Sequence, residues 1–129
     1  MISNIEALTM IDMARKDIIP AVSAYVKFLT DTALAKQALS PDIPVILEKN
    51  LITDLSQKLV LFADKTAELE NDLIKAGELE NDTQAYADSS PEVVFADMQE
   101  LRAIGDDMET KTGSDYWPYP SYGEMLFGV

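Results

Sequence analysis

The strongest constraint on the fold of this chain is a run of apolar residues in its middle third, spaced at alternating steps of three and four. The run covers about three and a half heptads, and the residues between its members are largely charged or amide side chains. Because residues three and four apart share one face of an α-helix, the pattern predicts a long helix with one buried and one solvated face. The seam consists of Ile52, Leu55, Leu59, Phe62, Thr66, Leu69, Leu73 and Ala76.

Two further seams with helical spacing flank this one, and no segment alternates apolar and polar residues as a strand would. The first comprises Leu8, Ile11, Ile18, Val22, Tyr25 and Leu29. The last comprises Val94, Met98, Leu101, Gly105 and Met108. We therefore predict an all-α fold in which residues 1–113 form an up-down-up antiparallel bundle, with long helices at about 3–39, 45–78 and 91–112.

Prolines and glycines punctuate these helices. Two prolines within residues 40–44 predict a break between the first and second helices. Pro20 lies inside the first helix and should kink or split it, and the resumed apolar period favours a kink. Gly77 either ends the second helix or lies in an end that frays through Glu80. Gly105 is expected to permit a close helix approach, and Gly113 to stop the third helix.

Serine residues mark two of the predicted helix starts. Ser3 followed by Glu6 fits a capping box, in which each side chain bonds a free backbone N–H of the first turn. Ser90 before Pro91 fits an N-cap with proline at the first helical position. Between the second and third helices, residues 78–90 are polar and predict a loop or a short helical turn.

Residues 114–129 form a tail that differs in kind from the bundle. Two prolines keep it extended, and it holds five of the ten aromatic residues of the chain. Aromatic side chains bury a large area at low entropic cost, so the tail either folds back on the bundle or docks on a neighbouring domain or subunit. The candidate interaction residues are Tyr116, Trp117, Tyr119, Tyr122 and Phe127.

The composition excludes several classes of function. The chain contains neither histidine nor cysteine, which removes the commonest general base, thiol nucleophile and metal ligands. A formal charge of −13 argues against binding to nucleic acid or to an anionic membrane surface. No apolar run approaches the ~20 residues of a transmembrane helix, and the N-terminus lacks a secretory signal, so we expect a cytoplasmic protein.

The remaining charged groups predict solvated helix faces rather than a site. The acidic stretch 78–82 lacks the glycine and the terminal glutamate of a calcium-binding EF-hand loop. We assign no catalytic, cofactor-binding or metal-binding residue. The groups expected to be solvated are Glu68, Glu70, Asp72, Asp106, Asp107, Glu109, Arg15, Lys16 and Lys27.

Three blocks of the sequence resemble the C-terminal helical region of type III glutamine synthetases. They are TMIDMARKDIIPAVSAY at 9–25, FADMQELR at 95–102 and YWPYPSYGEMLF at 116–127. The blocks occur in the order of that family, and the Tyr-Trp-Pro-aromatic-Pro block is the most specific. Residues 40–90 match only in helical character and length.

The resemblance implies that this chain is one domain of a longer enzyme that ligates ammonia to glutamate with ATP and a divalent metal, Mg or Mn. The metal-binding motifs of the family lie upstream of this region, so no catalytic residue is transferred to this chain. The implied partners are the catalytic domain and neighbouring subunits of a ring-shaped homo-oligomer, and the implied role is structural.

A stand-alone helical adaptor for a partner helix or peptide is the alternative, supported by the long seam of the second helix. A reading frame that continues upstream of Met1 would favour the domain, and a stop codon there would favour the adaptor. An independent small enzyme is disfavoured by the missing histidine, cysteine and phosphate-binding loop.

Overall fold

The computed structural model describes residues 4–79 and 91–120, in which four α-helices and one π-helical segment form a bundle. Helix α1 (Asn4–Met13), the π-helical segment Ala14–Ile18 and helix α2 (Ile19–Leu39) follow one another without a break. Helix α3 (Ile46–Leu79) has 34 residues and is therefore about 51 Å long. Helix α4 is Pro91–Lys111.

Some predicted features lie outside the described residues. These are the N-caps at Ser3 and Ser90, the polar segment from residue 80 onwards, and the tail beyond Pro120. Gly77 lies within α3, which continues to Leu79, so this glycine does not end the helix.

The first long helix accommodates Pro20 by a local change in hydrogen bonding. Proline has no N–H to donate to the carbonyl four residues before it. Just ahead of Pro20 the backbone widens into a π turn, and the N–H of Ile19 donates to the carbonyl of Ala14, five residues earlier. Such single π turns shift the carbonyl positions without ending a helix. The helix therefore continues through Pro20 and is not split.

Residues 40–45 form the predicted break between α2 and α3. Ser40 adopts an extended conformation with φ −158° and ψ 132°, while its N–H still donates to the carbonyl of Lys36. The side chain of Gln37 then donates to the carbonyl of Ile43 at 2.8 Å. These bonds satisfy backbone groups exposed by the end of α2 and reverse the direction of the chain.

Ion pairs between helices establish their antiparallel arrangement. Along each interface, residue numbers rise on one helix as the numbers of their partners fall on the other. Between the first long helix and α3 the pairs are Arg15–Glu70 and Lys36–Glu48. Between α3 and α4 they are Lys58–Asp107, Lys65–Glu100 and Lys111–Asp54. The up-down-up bundle predicted from the sequence is confirmed.

The core lies along the predicted seam of α3, with the first long helix on one side and α4 on the other. Every member of the α3 and α4 seams is buried or half-buried. Leu8 is an exception among the predicted core residues of the first helix, since it is 54% exposed. Ala7 and Ala14 face the core beside the predicted Ile11, and these small alanines let α1 lie close to its neighbours.

The first long helix, Asn4–Leu39, is long and apolar enough to cross a membrane by length and composition alone, contrary to the prediction from the sequence. Its 18-residue window has a mean hydropathy of 1.2. One such helix is weak evidence of a membrane span. Only 17% of the window is buried within the bundle. Ile5, Leu34 and Leu39 are apolar residues of the first long helix that are mostly exposed.

Two glycines in helices have opposite surroundings. A Cβ atom on Gly105 of α4 would lie 3.3 Å from Cε1 of Phe62, a ring buried on α3. A Cβ atom on Gly77 would meet nothing within 4 Å. Gly105 therefore permits the close approach of α4 to α3 that was expected from the sequence. At Gly77, in contrast, there is open space for a side chain.

Substitution of these two glycines should change stability in opposite directions. Gly105→Leu should lower the free energy of unfolding by about 1–3 kcal/mol, because the added side chain must displace Phe62. Gly77→Ala should raise it by up to about 1 kcal/mol, since alanine favours the helix and meets no neighbour. Urea unfolding followed by circular dichroism measures both. Equal tolerance of both substitutions would contradict the role given to Gly105.

Candidate functional site

The start of the tail folds back onto α2. After α4 ends at Lys111, the carbonyl of Gly113 accepts the N–H groups of Tyr116 at 2.9 Å and of Trp117 at 3.2 Å. This turn places the ring of Tyr116 with its centroid 5.2 Å from that of Tyr25 and 5.8 Å from that of Phe28. These separations are typical of favourable aromatic pairs.

Gly113 lies close to a tyrosine ring at this turn. A Cβ atom on Gly113 would lie 3.0 Å from Cε1 of Tyr25, and the glycine does not adopt a left-handed backbone conformation. The sequence correctly placed a helix stop near Gly113. In the structure this glycine allows the close approach of Tyr25 and does not form a left-handed cap.

Trp117 and Tyr119 continue the tail across the first long helix. Trp117 is half-buried against the core, and the hydroxyl of Tyr119 donates to Oδ2 of Asp17 at 2.6 Å. Burial, followed by this bond to a carboxylate, raises the pKa of Tyr119 to about 12. Asp17 lies in the π-helical segment, so the widened turn before Pro20 carries an anchor for the tail.

A cavity of about 290 Å³ lies between this part of the tail and the bundle. Its apolar wall comes from the first long helix, from Phe62 and Leu101, and from Trp117 and Pro120 of the tail. Charged residues of α4, namely Arg102, Asp106 and Glu109, also line it. The cavity is open to solvent at one side and has the character of a binding pocket for an apolar group.

The side chains that line this pocket are mainly apolar, with a few charged groups. The chain has no histidine or cysteine, and among the residues that line the described pocket the hydroxyl of Tyr119 donates its hydrogen bond to Asp17. An apolar wall with charged residues nearby suits an apolar side chain from another polypeptide or another part of the same one.

The structure brings together three of the five aromatic residues predicted to make contacts. Tyr116, Trp117 and Tyr119 all lie on the bundle, whereas Tyr122 and Phe127 are outside the described residues. Sequence reasoning did not identify Phe28 as part of this surface. Phe28 lies three residues after Tyr25 on the same helical face, and this spacing could have identified it as part of the surface.

The prediction that Asp107 and Glu70 are simply solvated was wrong. Asp107 is half-buried and accepts hydrogen bonds from Lys58 at 2.6 Å and from Lys111 at 3.0 Å. Glu70 accepts two hydrogen bonds from Arg15, at 2.8 and 3.0 Å. These lysine and arginine bonds hold the pKa values of both carboxyl groups below their usual range.

Asp97 is a buried acid that the sequence analysis also missed. It lies three residues after Val94 and four before Leu101, so helical spacing places it on the core face of α4. Only 4% of the residue is exposed. Burial raises the pKa of its carboxyl group to about 7, and the neighbouring carboxyl groups of Asp72 and Glu68 add to this effect, while Lys65 opposes it.

Comparison with known proteins gives one informative match. The chain is 34% identical over 128 residues to a glutamine synthetase from Butyrivibrio fibrisolvens. The chain is related to part of a glutamine synthetase. The match covers 98% of this chain but only 18% of the relative, so the relative is several times longer.

The match confirms the resemblance to glutamine synthetases that the three sequence blocks indicated. It extends through nearly all of the chain, including the bundle and the start of the tail. No family model matches the chain. No solved structure matches it either.

Docking of the tail should depend on the space that Gly113 leaves for Tyr25. Gly113→Ala should shift the ring of Tyr25 and weaken its contact with Tyr116, which loosens the tail and makes the adjacent Trp117, the single tryptophan of the chain, more accessible to water. The expected result is a red shift of tryptophan emission with little loss of helical circular dichroism. Ser114→Ala, at an exposed neighbouring position, serves as the control. An unchanged emission spectrum for Gly113→Ala would contradict the proposed steric requirement.

Stability should depend on pH through Asp97. Because the pKa of its carboxyl group is raised from 3.8 to about 7, the folded protein favours the protonated acid. This contribution to stability is fully present below pH 3.8 and is lost as the pH rises through about 7. The free energy of unfolding of Asp97→Asn should therefore increase relative to that of wild type as the pH rises from 4 to 8, by on the order of 3 kcal/mol.

Urea unfolding at several pH values, with a chelator present, measures this difference. Asp106→Asn, an exposed acid on the same helix, is the matched control and should show no such trend. A difference between Asp97→Asn and wild type that stays constant with pH would show that Asp97 has no raised pKa.

Proposed function

We propose that this chain is the non-catalytic C-terminal helical domain of a type III glutamine synthetase and that it supports assembly of the subunits. One observation carries the proposal. The similarity to a glutamine synthetase extends over 98% of this chain, yet covers only 18% of that relative. A region without histidine or cysteine thus corresponds to a small part of a much longer protein.

Under this proposal the chemistry belongs to the rest of the parent enzyme. The parent would join ammonia to glutamate with ATP and Mg²⁺ or Mn²⁺, and this domain would hold none of those ligands. The parent would act in the cytoplasm. The partners of this domain would be the parent's catalytic domain and neighbouring subunits.

The docked tail supports a role in contacts. Tyr116, Tyr25 and Phe28 form an aromatic cluster whose position is set by the Gly113 turn and by the bond between Tyr119 and Asp17. Phe28 remains 49% exposed within this cluster. An ordered aromatic surface loses little entropy on binding, which favours its use as an interface anchor.

The end of the bundle where α2 meets α3 supports the same role. Leu39 is 82% exposed, Ile46 is 64% exposed and Leu47 is 67% exposed, and all three flank the segment 40–45. Neighbouring large apolar side chains in water are unfavourable, and such patches commonly mark contact surfaces. In the proposed enzyme, this end of the bundle lies against another domain or subunit.

The test uses a full-length enzyme that contains this region. Trp117→Ala and Tyr116→Ala are combined, because removing two rings from the docked tail should loosen it and its contacts. We expect a smaller assembly by analytical ultracentrifugation and a matching loss of ligase activity at low enzyme concentration. Activity should recover partly at high concentration, because assembly is favoured by mass action.

Two comparisons make this test decisive. Thr53→Ala, at an exposed position of α3, is the control and should leave assembly and activity unchanged. Unchanged assembly and activity in the double variant and in a variant lacking residues 114–129 would refute a role of the tail in assembly.

The same exposed apolar residues would also suit a stand-alone helical adaptor. That alternative predicts that the chain is encoded without an upstream extension and functions as a 129-residue protein. A coding sequence that continues in frame upstream of Met1 would exclude it.

A further inference from the structure

Three carboxyl groups meet between α3 and α4, away from the tail. Glu68 and Asp72 lie one turn apart on α3, and Asp97 faces them from α4. One carboxylate oxygen from each residue lies within 4.8 Å of the other two. Glu68 is exposed, Asp72 is half-buried and Asp97 is buried, so the cluster extends from solvent to the edge of the core.

One oxygen of Asp97 has no hydrogen-bond partner. Its Oδ2 atom is buried and accepts no hydrogen bond from the described residues, although the carboxyl group of Asp97 also interacts with that of Asp72. Its Oδ1 atom lies 3.9 Å from Nζ of Lys65, too far for a hydrogen bond. A buried carboxylate without a full set of partners is costly, and native proteins usually satisfy such a group with a proton, a water or an ion.

We propose that Glu68, Asp72 and Asp97 bind one hard divalent cation of the size of Ca²⁺. The ligands are oxygen atoms of carboxylates, which calcium and magnesium prefer over the nitrogen and sulfur ligands of zinc or copper. The open side at Glu68 leaves room for water molecules that complete the coordination shell.

The positions of the three carboxylates on two helices favour the cation with the more flexible coordination. Ca²⁺ accepts about six to eight oxygen ligands in variable geometry, whereas Mg²⁺ requires a near-ideal octahedron with shorter bonds. Calcium therefore requires less movement of α3 relative to α4.

Lys65 weakens the site without eliminating it. It forms ion pairs with Glu68 at 2.8 Å and with Glu100, and it is the basic residue facing Asp97. On cation binding, Lys65 would lose its ion pair with Glu68 and keep its ion pair with Glu100. We therefore expect a dissociation constant of about 10⁻⁴–10⁻³ M, the range of weak calcium sites.

Protons compete with the cation for the same carboxylates. A carboxyl group must lose its proton before it can bind a metal ion, and this requirement applies to all three ligands. Calcium binding should accordingly weaken as the pH falls.

The experiment is isothermal titration of the 129-residue chain with CaCl₂ and, separately, MgCl₂, in 150 mM NaCl at pH 8 and pH 6. We expect one saturable calcium site that is weaker at the lower pH, and weaker binding of magnesium. Asp97→Asn and Asp72→Asn should each reduce calcium affinity at least tenfold. Lys65→Met should increase it severalfold, because the competing cation is removed.

Control variants separate this site from the general attraction of an acidic protein for cations. Asp106→Asn removes one negative charge from an exposed position of α4 and should leave calcium affinity unchanged. Circular dichroism verifies that each variant folds. The absence of saturable heat up to 10 mM calcium would overturn the proposal. Equal affinities in wild type and Asp97→Asn would do so as well.

Discussion

Burial of one face of α3 is the constraint on which the rest of the structure depends. Leu55, Phe62 and Leu69 are almost completely removed from water on this face. Each contributes roughly 1.5–3 kcal/mol by burial. A helix of this length cannot cover its own apolar seam, so it needs a neighbour on either side, and the first long helix and α4 supply them. The approach of α4 is close where Gly105 faces the ring of Phe62.

Charges arranged beside the buried seams select one register of the helices. The interhelical pairs of Arg15, Lys58 and Lys111 are partly exposed and add little stability individually. Together they oppose any sliding of the helices, because a shift of one turn would separate several pairs at once. Asp97 departs from this arrangement, as it lies buried beside other acids with only a distant lysine. Such an exception to core composition is typical of a site with a function beyond packing.

The tail adds an aromatic cluster and a cavity to the packed helices. Its first residues pack on α2 and on the π-helical segment before Pro20. The irregular backbone of that segment therefore helps to hold the tail in place. The widened turn carries Asp17, which accepts the hydroxyl of Tyr119. The aromatic cluster, the adjacent cavity and the exposed apolar end of the bundle are the surfaces that we propose for contact with other parts of a larger enzyme. Relationship to a much longer glutamine synthetase is consistent with that role.

The sequence by itself determined the helices and their buried faces. The seams of α3 and α4 and the break at residues 40–44 were predictable, because helical periodicity and proline chemistry act locally. At Pro20 the sequence favoured a kink over a split, and the structure decided that the helix continues. The resemblance to glutamine synthetases also came from the sequence, since its motifs are contiguous blocks. Leu8 was misplaced because Ala7 and Ile11 define an equally good helical face, and only packing decides between such faces.

Tertiary structure alone decided which polar groups meet. The contacts of Tyr119 with Asp17, of Lys111 with Asp54 and of Asp97 with the acids of α3 join residues far apart in the chain. Their formation depends on the relative rotation and translation of whole helices, which local propensities do not specify. The steric role of Gly113 likewise arises from the ring of Tyr25, which only the folded chain brings beside it.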